Sequence, residues 1–236
     1  MSLKVAIHQP NYLPWIGYFD KLDQSDIFVF LDKADVSKGS FLNRNTILSP
    51  NGKTLLTVPL TKGEKSIHKV QINNLRNWRA KHWATIKASY KKNAFWHMYK
   101  DRFEQIYNKE WDSLSELNIS LIELICELLE IDVKFYRESA FDEDFGKSSE
   151  RIANIVAKLQ GKTYISGRGG KKYNRLEDFE EKGIDLMYQN FTHPIYNQVW
   201  GENFTDKLSI IDLLFHHGPE SLNTIRSTRN PLAVDL

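Results

Sequence analysis

A single cysteine, Cys126, stands among 236 residues. One thiol excludes an intramolecular disulfide framework and a multi-cysteine metal site. Cys126 lies in an apolar helical run, where a small buried residue is expected rather than a reactive thiol. Net charge is equally scarce, since 32 Lys and Arg against 30 Asp and Glu leave only +2. That balance does not by itself imply a nucleic-acid or membrane partner. No apolar run approaches the roughly 20 residues of a membrane span. The apolar stretch before His8 is too short for a signal peptide. These absences predict a cytoplasmic protein with no membrane insertion. Internal repeats, low-complexity segments and Pro/Gly/Ser-rich linkers are also missing. No Gly-x-Ser-x-Gly elbow, His-Glu-x-x-His zinc motif or dinucleotide fingerprint occurs.

Aromatic rings are plentiful: 6 Trp, 10 Tyr and 13 Phe, some better suited to a half-wet cleft than to a core. Hydrophobic residues make up 41%, enough for a core that needs no disulfide or metal. The length fits one large domain or a domain with an insertion. Residues 3–8 read as a strand, 15–24 as a helix and 27–31 as a fully buried strand, so a βαβ unit opens the chain. Residues 41–60 read as a β-hairpin about Ser49-Pro50-Asn51-Gly52, and 67–72 as another short strand. Three helices follow at 78–92, 95–107 and 113–130. The last carries a stripe of Leu114, Leu117, Leu121, Leu124, Ile125 and Leu128. Then come a strand at 133–137, a helix at 148–159 with a Ser cap, and a strand at 163–166. A helix at 176–182, a strand at 184–188 and a helix at 207–216 complete the chain. Strands alternating with helices at both ends predict an α/β fold. Residues 1–236 read as a single domain, a mostly parallel sheet flanked by helices, with a helical insertion at 73–131 and the β-hairpin.

Chemistry concentrates at the turn from the first strand to the first helix. Two prolines, an Asn and a Gly crowd polar and aromatic groups into His8-Gln9-Pro10-Asn11-Tyr12-Leu13-Pro14-Trp15-Ile16-Gly17. In a sheet flanked by helices such a corner lies at the carboxyl end of a strand, where ligands bind. His8 is the candidate acid or base, with Tyr12 beside it. Gln9, Asn11, Trp15 and Gly17 are candidate ligand contacts, and the helix N-terminus offers N–H groups to an anion. The plainer reading makes His8 a satisfied core histidine. A second corner, Ser166-Gly167-Arg168-Gly169-Gly170-Lys171-Lys172, follows the strand at 163–166. Its glycines let backbone N–H groups converge on an anion, and Arg168, Lys171 and Lys172 add positive charge. The plainer reading is a surface turn. Loop residues His193, Tyr196 and Gln198 are further candidate contacts. Asp212 interrupts the last apolar helix and is a candidate catalytic residue. If buried it needs a partner such as Arg168, Arg44 or a capping group. His216 and His217 are adjacent and point apart on a helix, so no metal pair is expected. Trp78, His82, Trp83 and Tyr90 alternate with Arg79, Lys81, Lys87, Lys91 and Lys92. An amphipathic helix with inward rings explains that pattern better than a nucleic-acid surface.

Ile7-His8-Gln9-Pro10-Asn11-Tyr12-Leu13-Pro14-Trp15-Ile16-Gly17-Tyr18-Phe19-Asp20-Lys21 resembles the N-terminal signature of the WbqC-like family. The resemblance continues in order through Ile165–Tyr173, through His193-Pro194-Ile195-Tyr196-Asn197-Gln198 and through Leu208–Phe215. It implies a bacterial protein of the kind encoded in surface-polysaccharide (O-antigen) gene clusters. A more distant likeness is to nucleotidyltransferases of the HIGH superfamily, with Trp15 and Tyr18 where that pattern has its two histidines. Together these point to a group transferase acting on a nucleotide-linked or activated sugar, a small phosphate-bearing substrate. The alternative is a non-catalytic glycan- or protein-binding assembly factor. No carboxylate cluster stands beside either corner, so no resident metal is expected, and Mg²⁺ would arrive only with a nucleotide. The sequence leaves the oligomeric state open.

Overall fold

The computed structural model describes residues 2–36 and 39–234. The chain opens as β1 (Lys4–His8), α1 (Ile16–Asp23) and β2 (Ile27–Phe30). It then leaves the sheet for a hairpin, β3 (Arg44–Ser49) and β4 (Gly52–Thr57), and three helices, α2 (Trp78–Tyr90), α3 (Trp96–Asn108) and α4 (Leu114–Leu129). It returns as β5 (Lys134–Arg137), α5 (Ser148–Lys158), β6 (Thr163–Ser166), α6 (Leu176–Glu180) and β7 (Asp185–Tyr188). Two short helices, α7 (Ile211–His217) and α8 (Ser221–Ser227), complete it. The sheet runs β5-β2-β1-β6-β7 with every pair parallel, and the hairpin is a separate antiparallel pair. This is the α/β class the alternation predicts.

Alternation along the strands sends side chains to two cores. Ala6, Phe28, Phe30 and Ile165 pack against α1, α4, α7 and the hairpin. Val5, Ile7, Val29 and Tyr164 pack against α5 and α6 on the other face. The predicted stripe of α4 is buried at Leu114, Leu117, Leu121, Leu124 and Ile125. Ser113 caps this helix by accepting the N–H of Glu116. At the hairpin the two-residue loop is Pro50-Asn51, with Gly52 at φ 89° as the first residue of β4.

Three local expectations are corrected. Residues 67–72 are not a strand, because Ile67 and Val70 are buried at a spacing of three and Ile67–Lys69 forms a 3-10 turn. The helix expected from 207 begins at Ile211. Lys207 has φ 58°, and the N–H groups of Ser209 and Ile210 bond to Thr46 and Pro14 instead of building a helical turn. The Ser cap of the helix at 148–159 is not made, since Lys147 occupies the cap position without a side-chain bond. Among the described residues no helix is long and apolar enough to cross a membrane.

Candidate functional site

Strand order reverses between β1 and β6, because the chain builds outward first through β2 and β5, then through β6 and β7. Doubly wound sheets bind ligands in the crevice at the carboxyl ends of the strands flanking such a reversal. Here those ends are His8 and Ser166, and each begins one of the two corners singled out in the sequence. Two hollows meet there. One, about 290 Å³, lies on the α1 side and is lined by Trp15, Gly17, Tyr18, Arg168, Gln189 and Phe191. The other, about 510 Å³, lies on the α5 side and is lined by Gln9, Ser149, Tyr164, Ser166, Gly170 and Tyr173. Both also touch His8, Lys21, Gly167 and Gly169, which form their seam. A larger hollow of about 690 Å³ opens at the amino ends of the strands. Three of its charged groups serve the fold: Asp26 accepts the backbone N–H of Lys4, and Asp23 pairs with Arg229. The candidate site is the cleft at the carboxyl ends, where the two corners meet.

The first corner is held from outside. Asn118 of α4 donates to the carbonyls of Pro10 and Leu42, and Asn45 of β3 donates to that of Leu13. Leu13 sits at φ 43°, a left-handed conformation unusual for a branched residue. Gly17 is required where it stands, since a Cβ there would lie 2.3 Å from the Trp15 ring. The indole therefore lies over the first turn of α1 and meets Phe191 edge-on at 5.5 Å. One donor of that turn is already used, the Tyr18 N–H bonding to the Trp15 carbonyl.

The second corner is a 3-10 turn, Arg168–Lys172, with Gly167 before it. Gly170 is required by packing, its absent Cβ falling 2.1 Å from the Ser166 hydroxyl. Its N–H already bonds to the Gly167 carbonyl. Gly167 and Gly169 are different: neither has positive φ, and a Cβ on either would meet nothing within 4 Å. Neither conformation nor packing calls for glycine there. What the missing side chains do is leave backbone open toward both hollows. Arg168 is exposed at the rim and donates to Asn190. Lys171 and Lys172 are exposed on the same turn.

Two basic groups sit at the seam. Burial first, then the neighbouring charge of Lys21, hold the His8 imidazole well below its usual pKa, a backbone contact with Gln9 opposing them. Its Nδ1 is buried without a hydrogen-bond partner, and its ring meets Tyr18 edge-on at 5.0 Å. Lys21 is 3% exposed, and burial pushes its amine down to about 7. Lys21 does not stand out in the sequence, because a lysine in the last turn of a helix ordinarily faces water. Only the four-residue step from Gly17 could have put it on the cleft side.

The cleft gathers His8, Gln9, Trp15, Gly17, Ser166, Gly167, Arg168, Gly169 and Gly170. The remaining candidates lie elsewhere. Asn11 is buried within the first corner and lines neither hollow. Tyr12 is fully buried, its hydroxyl bonded to His82 Nδ1 at 2.9 Å and to the Tyr107 hydroxyl at 2.5 Å. Asp212 is fully buried, and its partners are not an arginine or a cap. It accepts from the hydroxyls of Tyr90 and Tyr196 and from the Gln198 amide. Those bonds fasten the loop after β7 to α7, and His193 contacts Phe191, Tyr196 and Phe204 within that loop. His216 and His217 point to different partners, Asp212 and Thr224. Trp78, His82 and Tyr90 of α2 are buried, with the rings inward. Among the described residues no group of three or more His, Cys, Asp or Glu is placed to hold a metal ion.

Comparison with known proteins agrees with the resemblance read from the motifs. An uncharacterized protein, Rv1507c, of Mycobacterium tuberculosis is 32% identical over 231 residues, covering 96% of this chain and 99% of its own. Residues 9–224, from Gln9 in the first corner to Thr224 in α8, match the WbqC-like protein family, and the chain belongs to that family.

Proposed function

We propose that this protein is a group transferase of bacterial surface-polysaccharide synthesis, acting on a nucleotide-linked or otherwise activated sugar. One observation carries the reading: the cleft at the strand-order reversal joins His8 to an open glycine loop that bears Arg168. Phosphate groups suit that loop, where the backbone of Gly167 and Gly169 is uncovered and a guanidinium stands at the rim. Two hollows sharing one seam suit a donor and an acceptor held side by side, the geometry that group transfer requires. His8, kept neutral by burial, acts as a hydrogen-bonding base rather than as an imidazolium acid. Mg²⁺, where the chemistry uses it, comes with the phosphates. A binding protein that recognised surfaces through a flat aromatic face would have no use for such a cleft.

The test is a thermal-shift screen against nucleotides, nucleotide sugars, acyl-CoAs and aminoacyl donors. A ligand present at about 100 times its Kd stabilises the fold by roughly 2.7 kcal/mol. A nucleotide or nucleotide sugar is expected to raise the midpoint of the wild type, and Arg168→Ala to lose most of that rise. Arg168 is exposed, so this variant folds. A flat response to every phosphate-bearing compound overturns the reading.

A further inference from the structure

Lys21 has no partner equal to its charge. Its Nζ donates to the Ile7 carbonyl at 3.2 Å and stands 5.8 Å from the Phe28 ring centroid. Among the described residues no carboxylate pairs with it. The acids nearest in sequence are committed elsewhere: Asp20 to Gln24, Gln189 and Arg229, and Asp23 to Arg226 and Arg229. Burial without a counter-ion favours the neutral amine, and an anion brought beside it favours the ammonium, so such a group is poised to respond to an anionic ligand. The place is telling, because Lys21 lines both hollows where they join. His8 Nδ1, which is buried without a hydrogen-bond partner, belongs to the same seam. The two hollows that Lys21 lines also carry His8 from β1, Tyr18 from α1, Tyr164 from β6 and Arg168 from the glycine loop. None of these is an acid able to neutralise it.

We propose that Lys21 is the group through which the cleft grips phosphate, an anionic oxygen of the ligand supplying the partner that the fold withholds. This rests on the phosphate-bearing substrate proposed above and names the residue that recognises it. From the seam the amine reaches a ligand in either hollow, so it holds the phosphate at the point where donor and acceptor meet. Binding also moves a proton. In the empty cleft the amine is largely neutral at pH 8, and a phosphate oxygen beside it draws a proton from solvent to make the ammonium. The overall exchange is up to one proton from buffer to Lys21, with no bond of the ligand broken.

Calorimetry with UDP and with inorganic pyrophosphate at pH 8, in two buffers of different ionisation enthalpy, reads affinity and proton uptake together. Wild type is expected to take up a substantial fraction of a proton. Lys21→Met, which keeps the aliphatic body of the side chain, is expected to take up none and to bind about tenfold more weakly or worse. Lys21→Arg is the second variant, should the methionine protein fail to fold. Its guanidinium is already charged, so it is expected to bind without proton uptake. A residue that merely packs in the core leaves proton uptake unchanged when replaced. Wild-type affinity and uptake in Lys21→Met, or wild-type uptake in Lys21→Arg, overturns the proposal. If Arg168→Ala abolishes binding while Lys21→Met retains it, only the role of Lys21 falls. If the wild type binds neither probe, the phosphate grip assigned to Lys21 falls, and the transferase reading is decided by the wider screen of phosphate-bearing compounds.

Discussion

Replacing Lys21 by methionine also measures what its amine costs the fold. The group is 3% exposed and its folded pKa of about 7 lies below the unfolded lysine value. Below pH 7 the amine is charged in both states, and the full penalty for burying it is present. Between pH 7 and about 10.4 the unfolded chain binds the proton and the folded one does not, so stability rises with pH. The slope there is at most about 1.4 kcal/mol per pH unit. Burial, the larger cause of the His8 shift, is common to both proteins, so His8 enters their difference only through the smaller effect of the Lys21 charge on it. Denaturant unfolding of wild type and Lys21→Met from pH 6 to 10 is therefore expected to show the variant ahead at pH 6 and the gap closing above pH 7. A gap that stays constant across this range shows that the amine does not deprotonate in the folded state.

At the scale of elements, the first corner depends on a helix far along the chain. Asn118 of α4 is fully buried and feeds its amide to two carbonyls, Pro10 of the corner and Leu42 ahead of the hairpin. Deleting it leaves two buried acceptors unpaired, at about 1–3 kcal/mol each. Asn118→Ala is expected to lose roughly 2–4 kcal/mol in denaturant unfolding and to weaken the nucleotide-induced thermal shift, because the corner loses its anchor. A loss under about 1 kcal/mol would show that Asn45 and Pro14 hold the corner unaided. The elements themselves were legible where a periodic apolar pattern had one explanation, as in α4 and β2. They were misread where backbone groups bond to distant parts of the chain. Ser209 and Ile210 look helical, yet their N–H groups go to Thr46 and Pro14. Ile67 and Val70 look like strand residues, yet they are buried at helical spacing.

Over the whole molecule, the α/β class and the two glycine-bearing corners were legible in the sequence, because each corner follows an apolar strand. Their meeting was not, since it depends on β6 pairing with β1, each residue with a partner 159 positions away along the chain. For the same reason Asp212 drew attention as an isolated acid in an apolar helix, while its three partners come from α2 and the loop after β7. The molecule thus offers two polar centres. One is the seam of the cleft; the other is the Asp212 cluster, joined to it through Phe191, which touches both Trp15 and His193. Hydrogen exchange separates them. Amides of a binding site are slowed when ligand holds the closed form, and distant elements follow only through global stability. With UDP bound, residues 8–21 and 166–174 are expected to gain protection together, ahead of the hairpin at 44–57 and of residues 191–207. Protection confined to residues 191–207 and α7 would move the binding centre to Asp212. Equal slowing everywhere would mean that exchange proceeds by global unfolding, and repeating the measurement at lower temperature, where local opening dominates, would again rank the two centres.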